Sequence, residues 1–298
     1  YLIVIKGVFM TFSPERSLHN PPPNHNFLMN CKIGFIGAGK MVSAIVTSLI
    51  RSGSFQANEI TCCSANDGTS NALSLETGIH RCEDVAELIG KNPNLLVLGC
   101  KPQQLAELPP EIAKSTEGMI ILSIMAGITL TRLKSAFPLS RNIVRSMPNT
   151  PGQIGAGITG FLFDSNPTEV DRTTIQNVLS SLGQVREVTN EIDIDRVTAI
   201  SGSGPAYLFE FACALEQAGK EIGLETELAK DLALHTIVGA AKLMEQSNNH
   251  PEELRNQVTS PNGTTQAALE SFAENKLREI VQRAAQAARD RSIELSNA

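Results

Sequence analysis

The sequence has no long run of one charge, no apolar stretch approaching a membrane span, and no cysteine or histidine spacing suited to a metal. Its 25 lysines and arginines are set against 31 aspartates and glutamates. The resulting net charge of −6 offers no electrostatic footprint for nucleic acid or an anionic membrane surface. Even Leu2 to Met10 is interrupted by Lys6 and falls short of the roughly 20 apolar residues a spanning helix needs. The six cysteines, at 31, 62, 63, 82, 100 and 213, contain no CxxC, and the adjacency of Cys62 and Cys63 disfavours their pairing. The five histidines, at 19, 25, 80, 235 and 250, form no triad; His235 reads as a packing or surface residue. These absences point to a soluble protein of the reducing cytoplasm that acts on a small molecule, without metal, nucleic acid or membrane.

What is present divides the chain in three. Residues 1–30 begin without methionine and run into SPERSLHNPPPNHN, whose prolines favour an extended conformation. They are expected to be an unstructured or spurious leader ahead of Met29. A targeting peptide would need a basic lead-in and a small-residue cleavage site, and neither is clear here. The remaining chain, rich enough in apolar residues for two cores, changes texture near residue 190. Over 31–190, apolar runs alternate with helical patterns, the rhythm of a parallel sheet with crossover helices. The strand candidates are Lys32–Ile36, Glu59–Cys63, Leu95–Leu98, Met119–Ile124, Arg141–Ser146, Gly157–Phe163 and Val185–Val188. LLVLG and MIILSIM read as central strands covered on both faces. Over 191–298, alanine, leucine, glutamate and lysine predict helices at about 205–222, 226–246, from 264 and over 274–295, with a break between Asn249 and Gly263. The fold class is therefore an α/β dinucleotide-binding domain, Rossmann-like, followed by an all-α domain.

Lys32 to Val42, KIGFIGAGKMV, takes a strand straight into glycines and then a helix. Gly37 would permit the tight turn, and Gly39 the close approach of a pyrophosphate at the helix N-terminus. Val42 fills the third small-residue place and crowds the strand against the helix. After the second strand the acid that would grip the NAD ribose is missing, and Ser64 and Asn66 can face a 2′-phosphate instead, with Asp67 an unfavourable neighbour. NADPH is therefore the expected cofactor, with NADH the alternative. CysLysProGln at 100–103 and MetAlaGly at 125–127 follow strands on the carboxyl edge where such folds bind ligands. Thr259 to Thr265, TSPNGTT, sets hydroxyls and free N–H groups at a helix start suited to a carboxylate, although such residues also cap ordinary helices. SGSGP at 201–205 lacks a preceding strand and reads as close helix packing.

In their order and spacing, IGFIGAGKM, CKPQ, RSMPNTP, SGSGPAY and VTSPNGTTQAALE resemble pyrroline-5-carboxylate reductase, over residues 31 to about 296. The resemblance implies hydride transfer from NAD(P)H to a cyclic imine carboxylate, giving L-proline. It implies a dinucleotide held by Ile36, Gly37, Ala38, Gly39, Lys40, Met41 and Ser64, with Lys101, Pro102 and Ala126 near ribose and nicotinamide. It places the substrate on Ser260, Gly263, Thr264 and Thr265, with the Thr265 hydroxyl at the ring nitrogen as the catalytic contact. A homodimer or ring of dimers is implied, with the apolar stripe of the last helix as dimer surface. Lys40, Val42 and Asn262 depart from the family pattern, and the last two put local geometry in question. Two competing readings stand beside it. A β-hydroxyacid-type dehydrogenase would need an acid/base lysine in the first long helix after the sheet, where Lys220 lies at the far end. A non-catalytic dinucleotide sensor would bind without turnover.

Overall fold

The computed structural model describes residues 31–297, so the expected leader, with His19 and His25, lies outside the described residues. Within them, one sheet has the strand order β3-β2-β1-β4-β5-β6-β7-β8. Its centre is β1 (Ile33–Ile36), paired in parallel with β2 (Ile60–Cys63) on one side and β4 (Leu95–Leu98) on the other. β5 (Ile120–Ser123) and β6 (Asn142–Met147) continue the parallel array. All four residues of β1, β4 and β5 are buried, as their uninterrupted apolar runs require. β3 (His80–Arg81) escaped the sequence reading because two exposed residues leave no pattern.

The parallel array expected from the sequence changes direction at its far edge. β7 (Gly157–Phe163) runs antiparallel to β6, and β8 (Gly183–Glu187) parallel to β7. Between β6 and β7 the chain holds only a 3-10 turn, Thr150–Ile154, where a parallel return would need a crossover of about a dozen residues or more.

The helix after the glycine turn, α1 (Lys40–Arg51), buries Val42, Ile45, Val46 and Leu49, spaced to make one stripe. Each such side chain contributes roughly 1.5–3 kcal/mol when fully removed from water. They pack with Ile33, Phe35 and Val97 on one face of the sheet, while Ile36, Leu96, Leu98 and Ile121 join Leu133 and Phe137 on the other. α2 (Thr69–Thr77) and α6 (Glu169–Ser180) supply Leu73, Ile175 and Val178 to the first face. α3 (Val85–Gly90), α4 (Ile112–Ser115) and α5 (Leu130–Ala136) cover the second. The bulk of Val42 is accommodated opposite a glycine. A Cβ at Gly99 would lie 2.2 Å from Val42 Cγ2, so the loop after β4 yields the space that the third small residue would have left.

The second half is helical, as expected: α7 (Ile192–Val197), α8 (Gly204–Glu221), α9 (Thr226–Gln246), α10 (Pro251–Gln257), α11 (Thr264–Glu274) and α12 (Leu277–Asn297). The expected break after Asn249 contains α10. Pro251 occupies its first turn, where no N–H is needed, and His250 Nδ1 accepts the Glu252 N–H at 3.2 Å. A π-helical turn, Thr198–Gly202, joins α7 to α8, and a Cβ on Gly202 would lie 2.8 Å from Met147 Cε. The SGSGP segment is thus a close-packing element, as read, although its neighbour is the end of β6 rather than another helix. α8 and α9 form a hairpin whose Phe209, Leu208, Leu232 and Leu234 stay exposed. On α12, Leu277, Ile280 and Val281 are exposed, whereas Ser292 and Ser296 near its end are buried.

Candidate functional site

The loops after β1, β2, β4 and β5 open side by side because those strands are neighbours in the order β2-β1-β4-β5. Ile36 to Met41, Ser64, Lys101 with Pro102, and Ala126 therefore line one carboxyl edge. The strand order reverses between β1 and β4, where open α/β sheets bind their ligands.

The centre of this edge is a turn only glycine can make. Gly37 has φ +98°, donates its N–H to the Cys63 carbonyl at 2.8 Å, and leaves no room for a side chain. A Cβ there would meet Cys100 N and the Gly99 carbonyl group at 2.6 Å. Gly39 differs: it has ordinary φ −70°, is exposed, and a Cβ on it would meet nothing within 4 Å. It is the N-cap of α1 without a side-chain cap, and no acid occupies the first turn of the helix. Free N–H groups and the positive end of a 12-residue helix thus face open space of the kind a pyrophosphate fills. Lys40, exposed as the first residue of α1, makes no ion pair among the described residues.

After β2, Ser64 Oγ accepts the Ser70 N–H at 3.2 Å and lies 3.1 Å from Asp67 Oδ1. The Thr69 hydroxyl and backbone N–H both donate to Asp67, at 2.7 and 3.0 Å, and hold its carboxyl below the usual carboxylate range. An ionised carboxylate therefore stands beside Ser64 in the loop after β2. Beneath the edge, burial pushes the Cys62 thiol up to about 11 and the Cys63 thiol up to about 12. Both stay protonated at neutral pH and are poor nucleophiles.

After β4, Lys101 is exposed at the start of the 3-10 turn Pro102–Glu107, its N–H bonded to Gln104 Oε1 at 2.9 Å. After β5, Ala126 is exposed, and Cys100 Sγ lies 3.8 Å from Met125 Sδ, placing the two loops in contact.

The expected substrate turn has the required local form. Gly263 is the N-cap of the 11-residue α11 without a side-chain cap, and its N–H closes on the Ser260 carbonyl at 3.0 Å. Asn262 adopts φ +58°, a left-handed conformation that asparagine tolerates, so glycine is not needed there. The first N–H groups of α11, at Thr264 and Thr265, have no partner within a helix and point to an anion site. Within one chain, however, no hydrogen bond among the described residues joins this turn to the dinucleotide edge. Among the described residues, α10 and α11 make no hydrogen bond to the sheet domain, α11 packs chiefly on α12, and Glu252 of α10 pairs with Arg278.

The sequence reading missed two clusters. Arg145, buried in β6, binds Glu191 and Asp195. The signal was an arginine inside the apolar run NIVRSM. His80, Cys82 and Glu87 bring possible ligand atoms within 4.8 Å of one another. Yet Glu87 already accepts the Glu83 N–H at 2.8 Å and pairs with Lys91, which accounts for it as a structural group. Lys220 is paired with Glu216 at 2.5 Å at the far end of α8.

Two family models match the chain. One, described as pyrroline-5-carboxylate reductase dimerisation, covers residues 191–295, and the other, NADP oxidoreductase coenzyme F420-dependent, covers 32–127. A pyrroline-5-carboxylate reductase of Bacillus subtilis is 32% identical over 89% of this chain and 95% of its own. One from Pseudomonas aeruginosa is 36% identical over 89% and 97%. Among solved structures, the enzyme from Coxiella burnetii superposes with a TM-score of 0.83 at 31% identity, covering 90% of this chain and 99% of that one. The Plasmodium falciparum pyrroline carboxylate reductase with NADP bound gives 0.76 at 28% identity, covering 90% and 98%. No helix among the described residues is long and apolar enough to cross a membrane.

Proposed function

The chain belongs to the pyrroline-5-carboxylate reductase family and reduces 1-pyrroline-5-carboxylate to L-proline, and from that premise we propose which residues perform the reaction. The observation that carries the assignment is a pair of uncapped helix starts, one at Gly39 for a pyrophosphate and one at Gly263 for a carboxylate.

Ile36 to Met41 hold the pyrophosphate, Ser64 the adenosine ribose, and Lys101, Pro102 and Ala126 border the nicotinamide half. The bound dinucleotide supplies a hydride. Ser260, Gly263, Thr264 and Thr265 fix the substrate by its carboxylate, through N–H groups at the positive end of α11. The iminium N–H donates to the Thr265 hydroxyl oxygen. As hydride adds to the imine carbon, the C=N π pair moves to nitrogen, giving an amine that remains within reach of the same hydroxyl. Protonation of the imine supplies the electrophile, so the protein's task is orientation and no strong side-chain base is required.

The exposed apolar faces of α8, α9 and α12 support a homodimer, or a ring of dimers, with the dimerisation domain as its interface. Because the Gly263 turn is not joined to its own dinucleotide edge, the partner's edge is the one it serves.

NADPH is the proposed donor, with NADH the weaker one. The NADP named in the family description and in the Plasmodium falciparum structure supports this, whereas Asp67 opposes a 2′-phosphate. A charge about 4–5 Å away in a wet setting is worth about 1 kcal/mol. Asp67→Asn is therefore expected to raise the NADPH-to-NADH ratio of kcat/KM about fivefold, read from initial rates with each cofactor. A parent that already prefers NADH would overturn the NADPH assignment, and a ratio left unchanged by the substitution would remove Asp67 from the 2′-site.

A further inference from the structure

Arg145 lies on β6 beside the end of β5, in register with Ser123, and is only 2% exposed. Its Nη1 donates to Glu191 Oε1 at 2.8 Å and its Nη2 to Asp195 Oδ1 at 3.2 Å. Each carboxylate holds a further segment. Glu191 Oε1 also accepts the Leu130 N–H at 2.7 Å, at the end of the loop that carries Ala126. Asp195 Oδ1 accepts the Ser292 hydroxyl at 2.7 Å, with the Ser296 hydroxyl at 3.4 Å, both from the end of α12. The same loop rests directly on α12. A Cβ on Gly127 would lie 3.3 Å from Leu295 Cβ and 3.5 Å from the Leu295 carbonyl oxygen.

A buried arginine with two carboxylates is a poor way to add stability, because desolvation offsets most of the attraction. What it supplies is a fixed relation between groups. Here those groups are the loop after β5 and the end of the helix that closes the dimerisation domain. In this strand order a bound dinucleotide would set its adenosine half toward β2 and its nicotinamide half toward β4 and β5, beside that loop.

We propose that Arg145, with Glu191 and Asp195, is a positioning residue that sets the β5 loop, and through it the nicotinamide, against the end of α12. This rests on the reductase reading above. The network makes the rate of hydride transfer depend on how the helical half is seated.

Two variants test it. Glu191→Gln keeps an acceptor for the Leu130 N–H but removes the charge facing Arg145. Ser292→Ala combined with Ser296→Ala strips Asp195 of its hydroxyl donors while leaving both carboxylates in place, and serves if the first variant fails to fold. In either, kcat is expected to fall about tenfold or more, the size of effect a small misplacement of reacting groups produces. KM for the imine and affinity for adenosine 2′,5′-bisphosphate should stay within about twofold. With dinucleotide deuterated at the transferred position, the isotope effect on kcat should exceed that of the parent. Parent-like kcat and isotope effect in a folded variant would overturn the proposal, as would parallel loss of fragment binding and rate. A parent that fails to reduce the imine would count against the reductase reading instead. In that case the fluorescence anisotropy of bound NADPH still decides: lower in the variants than in the parent supports the positioning role, and equal values overturn it.

Discussion

Gly37→Ala is expected to abolish dinucleotide binding and to destabilise the sheet domain, whereas Gly39→Ala, two residues on, should abolish binding alone. At Gly37 the new methyl would sit 2.6 Å from backbone atoms of Gly99 and Cys100, in a residue held at φ +98°. Left-handed strain and overpacking each cost about 1–3 kcal/mol, and here both apply against backbone that cannot swing aside. At 2–4 °C per kcal/mol for a chain of this size, the melting temperature should drop by roughly 4–24 °C. At Gly39 a Cβ meets nothing within 4 Å and φ is ordinary, so the apo protein should melt like the parent. The methyl would still stand where a pyrophosphate must approach the first N–H groups of α1. Thermal scans with and without NADPH separate the two cases. The parent should gain stability with ligand and neither variant should. A normal ligand-induced shift in Gly37→Ala would show that the dinucleotide does not use this turn.

Thr265→Ala should slow turnover far more than it weakens the cofactor. Thr265 lies in the first turn of α11, immediately after the uncapped Gly263, where a carboxylate bound to the N–H groups would bring a ring nitrogen to its hydroxyl. Hydrogen bonds to charged groups are worth about 1.5–3 kcal/mol, so kcat should fall by roughly 10- to 150-fold. The dissociation constant for NADPH should change less than about twofold, and Thr265→Ser should restore most of the rate. Unchanged turnover in the alanine variant would remove Thr265 from the site.

The parts of this molecule that were legible in its sequence are those fixed by neighbours along the chain. The uninterrupted runs at Leu95–Leu98 and Ile120–Ser123 announced central strands, and the stripe Val42, Ile45, Val46, Leu49 announced a helix packed on them. Both helix starts were visible because glycine next to small or hydroxyl residues has a local meaning. What stayed hidden depends on residues far apart. β3 is too short to carry a period, and Pro251, read as a break, opens α10. The antiparallel return at β7 follows from a connection too short to cross over, which no apolar pattern records.

The two departures from the family pattern show the same limit. Val42 looked too large for its place until Gly99, from another loop, proved to be opposite it. Asn262 looked wrong for a glycine position until its φ of +58° showed a conformation asparagine can hold. Along the chain Arg145 is a single charge in an apolar strand, and its partners Glu191 and Asp195 lie 46 and 50 residues away, at the start of α7. Nor does any local pattern along the chain record that no hydrogen bond among the described residues links the Gly263 turn to the edge that carries Gly37.

The reductase reading is tested most directly by the consumption of NADPH when 1-pyrroline-5-carboxylate is added to the purified protein. Stoichiometric oxidation of NADPH with formation of L-proline, at a rate that depends on both substrates, is expected. Binding of NADPH with no turnover on the imine would contradict it and leave a dinucleotide sensor in its place.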